Sequence, residues 1–196
     1  MARFTAPGSA QADDMQLVLA THLDLRPAPA LMDEAGTSVV AVLLAALMLP
    51  RSHGRLSLAS PDPALPPNID LNYCSEPEDE RRFLEGVRLA WRVLKSKEMA
   101  SAYQRISGLS ETIVASDEQL LTYIRANIGT YCHASGTAPI GPDGDAQAVL
   151  DQKCKVRGTE SLRVVDAFPQ IPSAVPNLTV MMLGERVADW LRNSSL

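Results

Sequence analysis

The sequence predicts an α+β fold: an antiparallel sheet with helices packed on one of its faces. Two observations indicate this class. Short apolar segments bounded by Asp, Pro and Gly fill the first third of the chain, and segments with helical spacing follow them. A third observation is that no strand–helix–strand unit repeats, which disfavours a parallel sheet and leaves strands that pair with antiparallel neighbours.

The predicted strands are apolar runs that end at residues unsuited to a sheet. Residues 37–49 are rich in Val and Leu and stop at Pro50. Leu56 and Leu58 alternate with polar residues, so a strand there would place them on one face. Pro-rich segments at 26–29 and 60–67 lack amide donors and are expected to be loops. The strands are predicted at residues 15–23, 37–49, 54–59, 69–73 and 162–165.

Three helices are predicted from their start signals and apolar spacing. Ser75 and Glu78 form a capping-box pattern before the first helix, and Ser116 opens the second. The third helix covers residues 177–191, where Met181 and Met182 are expected in the core. Inward-facing residues are predicted to be Leu120, Ile124 and Ile128 in the second helix and Val180, Gly184, Val187, Ala188 and Leu191 in the third.

Composition narrows the class of protein. The 196 residues carry 21% charged and 46% hydrophobic side chains with a net charge of −5, which is typical of an ordered protein and disfavours nucleic acid or an anionic membrane as partner. The longest apolar run, residues 39–49, is too short to cross a bilayer, and the first residues lack the apolar core of a signal peptide. Three widely spaced cysteines without a Cys-x-x-Cys pair predict neither a disulfide framework nor a metal site, so a cytoplasmic location is expected.

Four motifs occur in a fixed order along the chain. Residues 49–60 read LPRSHGRLSLAS, residues 67–73 read PNIDLNY, residues 130–137 read TYCHASGT, and residues 182–189 read MLGERVAD. Together they resemble the glucose–methanol–choline (GMC) oxidoreductase family, in its carboxyl-terminal, substrate-binding part. The resemblance implies one GMC-like domain over residues 1–196, with residues 1–13 as a flexible lead-in.

The resemblance also assigns a site. It implies that residues 129–145 form an active-site loop in which His133 acts as base or hydrogen-bond partner to the substrate hydroxyl. An imidazole with a pKa of about 6.5 in water suits that role near neutral pH. Thr130 and Cys132 lie in the same loop and are predicted to contact substrate.

The chain departs from the family pattern at three places. No Gly-x-Gly-x-x-Gly turn is present, so FAD binding is expected only with a complementing chain, if a flavin is used at all. Val175 stands where the family has Asn or His, and Asn177 lies nearby but out of phase; both are predicted to line the substrate site. The segment 166–173 is shorter than in the family, and its Asp166 and Ala167 would contact the flavin of a complementing chain.

Three functions remain open from the sequence. The first is the substrate-binding part of an oxidoreductase acting on the CH–OH group of a small organic molecule, with flavin from a separate chain. The second is a redox-neutral cyclase, isomerase or lyase of specialised metabolism that uses His133 as acid and base. The third is a non-catalytic binding protein. In each case, apolar surface around residues 162–165 and the last helix predicts a dimer, either with itself or with an FAD-binding subunit.

Overall fold

The computed structural model describes residues 1–133, 135–165 and 171–193. The chain divides into two compact units, Met1–Gly129 and Thr130–Leu196, and each is described by itself. That the whole chain acts as one domain stays a prediction. Antiparallel strands and helices together confirm the α+β class.

The first unit is built on a three-stranded antiparallel sheet. Its strands are β1 (Ala2–Phe4), β2 (Met15–Asp24) and β3 (Val39–Leu47), in the order β1-β2-β3. Met15 pairs with Leu47, and the register of the β2–β3 pair shifts between Ala20 and Leu23. Residues 1–13, expected to be a flexible lead-in, contain β1, which is fixed because Ala2 pairs with Leu17.

A second, two-stranded sheet extends from the first unit. Strands β4 (Arg55–Ser57) and β5 (Asn68–Asp70) are antiparallel, and Leu56 pairs with Ile69. We call residues 53–73 the arm. All of its residues except Ser60 are exposed, and the exposed fraction reaches 83% at Leu58. Because β4 ends at Ser57, the predicted alternation of Leu56 and Leu58 runs past the end of the strand.

Six helices are described, five in the first unit and one in the second. Of the two predicted N-terminal caps, one is observed and the other is not. Ser116 caps α5, where its Oγ accepts the Gln119 N–H at 3.3 Å, as predicted. The capping box at Ser75 is wrong, because α2 begins at Pro77 with Glu76 as its N-cap and no side-chain cap. The helices are α1 (Pro29–Ala35), α2 (Pro77–Leu94), α3 (Lys97–Ala100), α4 (Glu111–Ala115), α5 (Asp117–Asn127) and α6 (Asn177–Arg192).

Helix α2 connects the sheet to the apolar core of the first unit. A side chain at Gly86 would collide with Met15 Cε and would lie 3.5 Å from Ala45 Cβ, so α2 packs closely on the face of the sheet that carries these residues. On its other side, α2 contributes Leu84 to a core cluster with Leu120 and Ile124 of α5, and Ile128 is half-buried at the end of that helix. The predicted packing of helices on the sheet is observed for α2.

In residues 130–133, 135–165 and 171–176, the second unit has little regular structure before α6 begins. Isolated bridges join Ile140 to Leu150, Leu150 to Val156 and Lys155 to Arg163. The predicted strand at 162–165 is wrong, since only Arg163 there forms a bridge. Fully buried Leu150 and Cys154 mark the centre of this unit.

Helix α6 buries less apolar surface than its sequence predicts. Val187 is buried as expected, and Val180 and Gly184 are half-buried, whereas Ala188 and Leu191 are exposed. Met181 and Met182 are also exposed, at 61% and 65%, which contradicts their expected place in the core. The 16-residue helix carries apolar side chains around much of its circumference, so a unit with a small core can bury only one stripe of them.

Candidate functional site

The predicted base lies in a sharply turned loop of the second unit. Cys132 has a left-handed backbone with φ of 60°, and its N–H donates to Thr130 Oγ1 at 2.9 Å. This turn directs the chain into His133, whose ring lies edge-on to that of Tyr131 with centroids 5.1 Å apart. The sequence therefore brings Thr130, Cys132 and His133 together through local backbone geometry.

The imidazole of His133 is open to an incoming molecule. The residue is exposed, and its backbone carbonyl accepts a hydrogen bond of 3.4 Å from Ser135 Oγ. Within residues 1–133, 135–165 and 171–193, no carboxylate forms an ion pair or hydrogen bond with the ring. An imidazole can donate or accept a hydrogen bond through its ring nitrogens, so an exposed one is suited to contact a hydroxyl group.

The other predicted site residues lie at the start of α6. Val175 is half-buried and Asn177 is the exposed first residue of the helix, after Pro176 as N-cap. In the described part of the second unit, no hydrogen bond joins either residue to His133. Asp166 and Ala167, the predicted flavin contacts, lie outside the described residues. Their roles stay predictions.

The glycine-rich part of the loop does not fit a flavin pyrophosphate. A Cβ at Gly141 would lie 2.7 Å from Ala148 Cβ and 2.9 Å from Asp145 Oδ2. The space beside Gly141 is therefore filled by its own loop, which places a carboxylate where a phosphate would need N–H donors. No helix begins between Gly141 and Val165. This loop therefore offers a pyrophosphate no cradle of backbone N–H groups at Gly141.

A buried polar cluster that the sequence analysis did not predict lies in the first unit. Asp79 of α2 accepts hydrogen bonds from the backbone N–H groups of Arg51 and Ser52 and from Ser52 Oγ, the last at 2.6 Å. Burial raises the pKa of Asp79, but these donors and Arg82 outweigh burial, and the net pKa is lowered from its ordinary value. Asp79 therefore anchors the Pro-x-Ser-x-Gly segment by its backbone.

Arg82 extends this cluster to the sheet. Its guanidinium is fully buried and donates to Asp79 Oδ1 at 2.6 Å, to Asp14 Oδ2 at 3.1 Å and to the Leu49 carbonyl at 2.9 Å. Asp14 in turn accepts from the Ala6 N–H at 2.8 Å. Two sequence signals for this network were available. Asp14 stands just before an apolar strand, and Asp79 and Arg82 form an Asp-x-x-Arg pair on a helix.

Gly54 of the 49–60 motif and Asn72 of the 67–73 motif fix the start of the arm. A Cβ on Gly54 would collide with the Asp70 carbonyl and would lie 2.8 Å from the Leu71 carbonyl. Asn72, with a left-handed φ of 47°, donates from Nδ2 to the His53 carbonyl at 2.8 Å. The motif is thus structural in this unit: it brings two backbone segments into close approach.

Other features of the described residues are less specific. An open groove of about 360 Å³ is lined by Met32, Asp33, Gly36, Thr37 and Ser38, none of which was a predicted site residue. In the parts of the chain that the structure covers, no three His, Cys, Asp or Glu side chains gather as metal ligands. None of the described helices combines the length and apolarity needed to cross a bilayer.

Fold and motifs together define a carboxyl-terminal segment of the GMC oxidoreductase class. Residues 50–184 match the family model described as GMC oxidoreductase, in its carboxyl-terminal part. The chain belongs to the GMC oxidoreductase family.

Curated relatives support the same assignment. The chain is 35% identical to oxygen-dependent choline dehydrogenase of Photobacterium profundum over 71% of its own length and 25% of the relative. It is 37% identical to 5-(hydroxymethyl)furfural oxidase of Methylovorus sp. over 71% of the chain and 29% of that enzyme. The chain therefore spans between a quarter and a third of the length of these relatives.

Solved structures resemble the chain in fold. Pyridoxine 4-oxidase from Mesorbium loti matches 98% of the chain and 37% of its own with a TM-score of 0.78 at 20% identity, which shows the fold alone. Formate oxidase of Aspergillus oryzae matches 81% of the chain and 28% of its own at 28% identity and a TM-score of 0.71. The names of these relatives are those of oxidases and dehydrogenases, so the redox-neutral alternative is not favoured.

Proposed function

We propose that this chain supplies the substrate-facing surface and the catalytic base for oxidation of a CH–OH group in a small organic molecule. The observation that carries the proposal is the position of His133: an accessible imidazole on a sharp turn, in the H-x-x-G-T motif of a GMC carboxyl-terminal segment. The reaction would take place in the cytoplasm. Substrate and electron acceptor both have to be brought to this loop.

The chemistry assigned to the chain is a proton transfer. Oxidation of an alcohol to a carbonyl removes the proton of the hydroxyl group and a hydride from the carbon. Loss of the proton gives an alkoxide, from which the hydride leaves more readily. We assign the proton to His133, while a flavin would supply the hydride acceptor. General-base assistance of this kind contributes about 10²- to 10⁴-fold to a rate.

Neighbouring groups would position the substrate. Thr130 is held by the Cys132 N–H, so the turn presents one face of the loop in a fixed orientation. Tyr131 packs edge-on against the imidazole and limits its rotation. Val175 and Asn177 are proposed as the apolar and polar sides of the substrate site. Asn177 would donate or accept a hydrogen bond that Val175 cannot provide.

The oxidant is proposed to come from another polypeptide. The loop around Gly141 has no room for a pyrophosphate group. FAD is named for two similar solved structures, as the modified cofactor of formate oxidase and as the cofactor of an FAD-dependent oxidoreductase. A complementing flavin-binding chain would contact this chain near Asp166 and Ala167. The chain alone is then expected to bind FAD weakly.

The test begins with the protein purified from its own host together with the polypeptides that accompany it. We expect flavin absorbance in the visible range only in the complex, and bleaching of that absorbance on anaerobic addition of choline, 5-(hydroxymethyl)furfural or benzyl alcohol as probes. His133→Gln should slow the bleaching at least 100-fold without dissociating the complex. His53→Gln, an exposed imidazole of the arm, is the matched control and should have little effect.

Two outcomes would contradict the proposal. A tight one-to-one complex of the isolated chain with FAD would remove the need for a second polypeptide. A His133→Gln protein that bleaches as fast as the unaltered protein would remove the imidazole from the reaction.

A further inference from the structure

Side-chain hydroxyl groups hold the backbone on both sides of His133. Before it, Thr130 Oγ1 accepts the Cys132 N–H at 2.9 Å, and Cys132 has a left-handed φ of 60°. After it, Ser135 Oγ donates to the His133 carbonyl at 3.4 Å. A hydroxyl that binds the backbone N–H two residues later stabilises a turn. The backbone of His133 is therefore positioned by contacts within its own loop.

These backbone contacts do not determine the plane of the imidazole. The χ2 torsion of a histidine has broad preferences, so a neighbouring group has to set the orientation of the ring. The ring of Tyr131 lies 5.1 Å from the imidazole, centroid to centroid, with the two planes at 85°. Aromatic pairs prefer this edge-to-face arrangement at about 4.5–7 Å. Tyr131 is half-buried whereas His133 is exposed, so the tyrosine ring is the better anchored of the two.

The ring contact depends on the turn at Cys132. An extended residue at this position would hold the Cα atoms of Tyr131 and His133 about 6.6 Å apart, and the left-handed turn shortens that separation. Residues other than glycine are uncommon in this region of the backbone map, so the turn needs support. The Thr130 hydroxyl supplies it through the Cys132 N–H. Thr130 thus acts on the imidazole through the turn, and Tyr131 acts on it by direct contact.

We infer that Thr130 and Tyr131 are positioning residues that together set the orientation of the His133 imidazole. The inference rests on the proposed role of His133 as base, and it gives Thr130 a task within the loop that is distinct from its predicted contact with substrate. Orientation matters to a base, because a displacement of about 1 Å from the reacting proton can cost about 100-fold in rate. A fixed ring plane keeps the ring nitrogens aimed at the same point.

Proton NMR of the chain tests the ring contact without flavin or substrate. The chain contains three histidines, so the imidazole resonances of His133 can be assigned by their loss in His133→Gln. An aromatic ring displaces the resonances of protons beside it. Tyr131→Leu should therefore shift the His133 resonances toward their position in an unstructured peptide, and Tyr131→Phe, which keeps the ring, should retain the displacement. The resonances of His22 and His53, in the first unit, should not move.

Thr130→Val and Thr130→Ser form a matched pair for the turn. Val has the shape of Thr but offers no acceptor to the Cys132 N–H, so Thr130→Val should shift the His133 resonances in the same direction as Tyr131→Leu. Ser keeps the hydroxyl and should retain their position. Circular dichroism identifies variants that fail to fold. Unchanged His133 resonances in folded Tyr131→Leu or Thr130→Val protein would overturn the inference.

The rate of flavin bleaching in the complex separates positioning from substrate binding. A displaced base slows the reaction of bound substrate, so Tyr131→Leu should lower kcat about tenfold with KM nearly unchanged. An unchanged kcat, with or without a raised KM, would overturn the inference. If His133→Gln leaves bleaching unaltered, the proposed function fails, whereas the NMR displacement would still show that Tyr131 orients the imidazole. The two failures are therefore distinguishable.

Discussion

Arg82 Nη2 donates to Asp79 Oδ1 at 2.6 Å, three residues earlier on the same helix, with both side chains buried. The pair is tied to the sheet through Asp14 and to the following segment through Ser52. Each charged group of this cluster therefore has hydrogen-bond partners, which is the condition under which buried charges are tolerated.

The first prediction is that Arg82→Ala strongly destabilises the first unit. Removal of the guanidinium leaves two buried carboxylates, Asp14 and Asp79, without their cation, and loss of one partner of a buried pair costs about 3–5 kcal/mol. Arg92→Ala, at an exposed position of the same helix, should cost less than about 1 kcal/mol. The free energy of unfolding in urea measures both values, and similar losses for the two variants would contradict the structural role of Arg82.

The second prediction concerns acid stability. Because the pKa of Asp79 is lowered in the folded protein, ionised Asp79 stabilises the fold above its unfolded pKa of about 3.9, and this contribution is lost as the pH falls through the folded value. Asp79→Asn should therefore be less stable at neutral pH but should lose less additional stability between pH 5 and pH 2. Urea unfolding at a series of pH values gives the slope of the unfolding free energy against pH for the unaltered protein and for Asp79→Asn. Equal slopes would show that Asp79 has no part in the acid transition.

The third prediction concerns the start of the arm. Gly54→Ala would drive a Cβ into the carbonyls of Asp70 and Leu71, which are backbone groups and cannot turn aside, so we expect a loss of about 1–3 kcal/mol. Gly129→Ala is a suitable control, because a Cβ there meets no atom within 4 Å. Thermal unfolding of the two variants provides the comparison. A stable Gly54→Ala protein would mean that the two backbone segments are farther apart than described.

The fourth prediction is an order of alkylation among the three cysteines. Cys132 is exposed and should react first with iodoacetamide at pH 8. Burial, together with the nearby carboxylates Glu80 and Asp79, raises the pKa of Cys74 to about 11, so little reactive thiolate is present at that pH. Cys154 is fully buried and its pKa is raised by burial, so it should react only after unfolding. Peptide mapping over time gives the three rates, and early labelling of Cys154 would contradict the packing of the second unit.

Sequence patterns predicted the long helices and strands, but not the features whose formation depends on contacts between residues far apart in the chain. The runs around β2 and β3 and the helices at α2, α5 and α6 follow from apolar periodicity, which is a local property. β1 was missed because three residues carry no periodic signal and are held only by pairing with β2. The residues of the H-x-x-G-T loop could be named from the family motif. The Asp79–Arg82 cluster could not, since its partners lie up to 71 residues away in the chain.

The exposure of His133 has a consequence for how the site would become effective. A base surrounded by bulk water lies in a medium of high dielectric constant, which screens the neighbouring charges and dipoles. Water molecules also compete with the substrate for hydrogen bonds to the base. Whatever molecule covers the loop would lower that dielectric and remove the competing water at the same time. In the proposed reaction, the effectiveness of this imidazole as a base would therefore depend on its enclosure, and this chain would contribute the geometry of the loop.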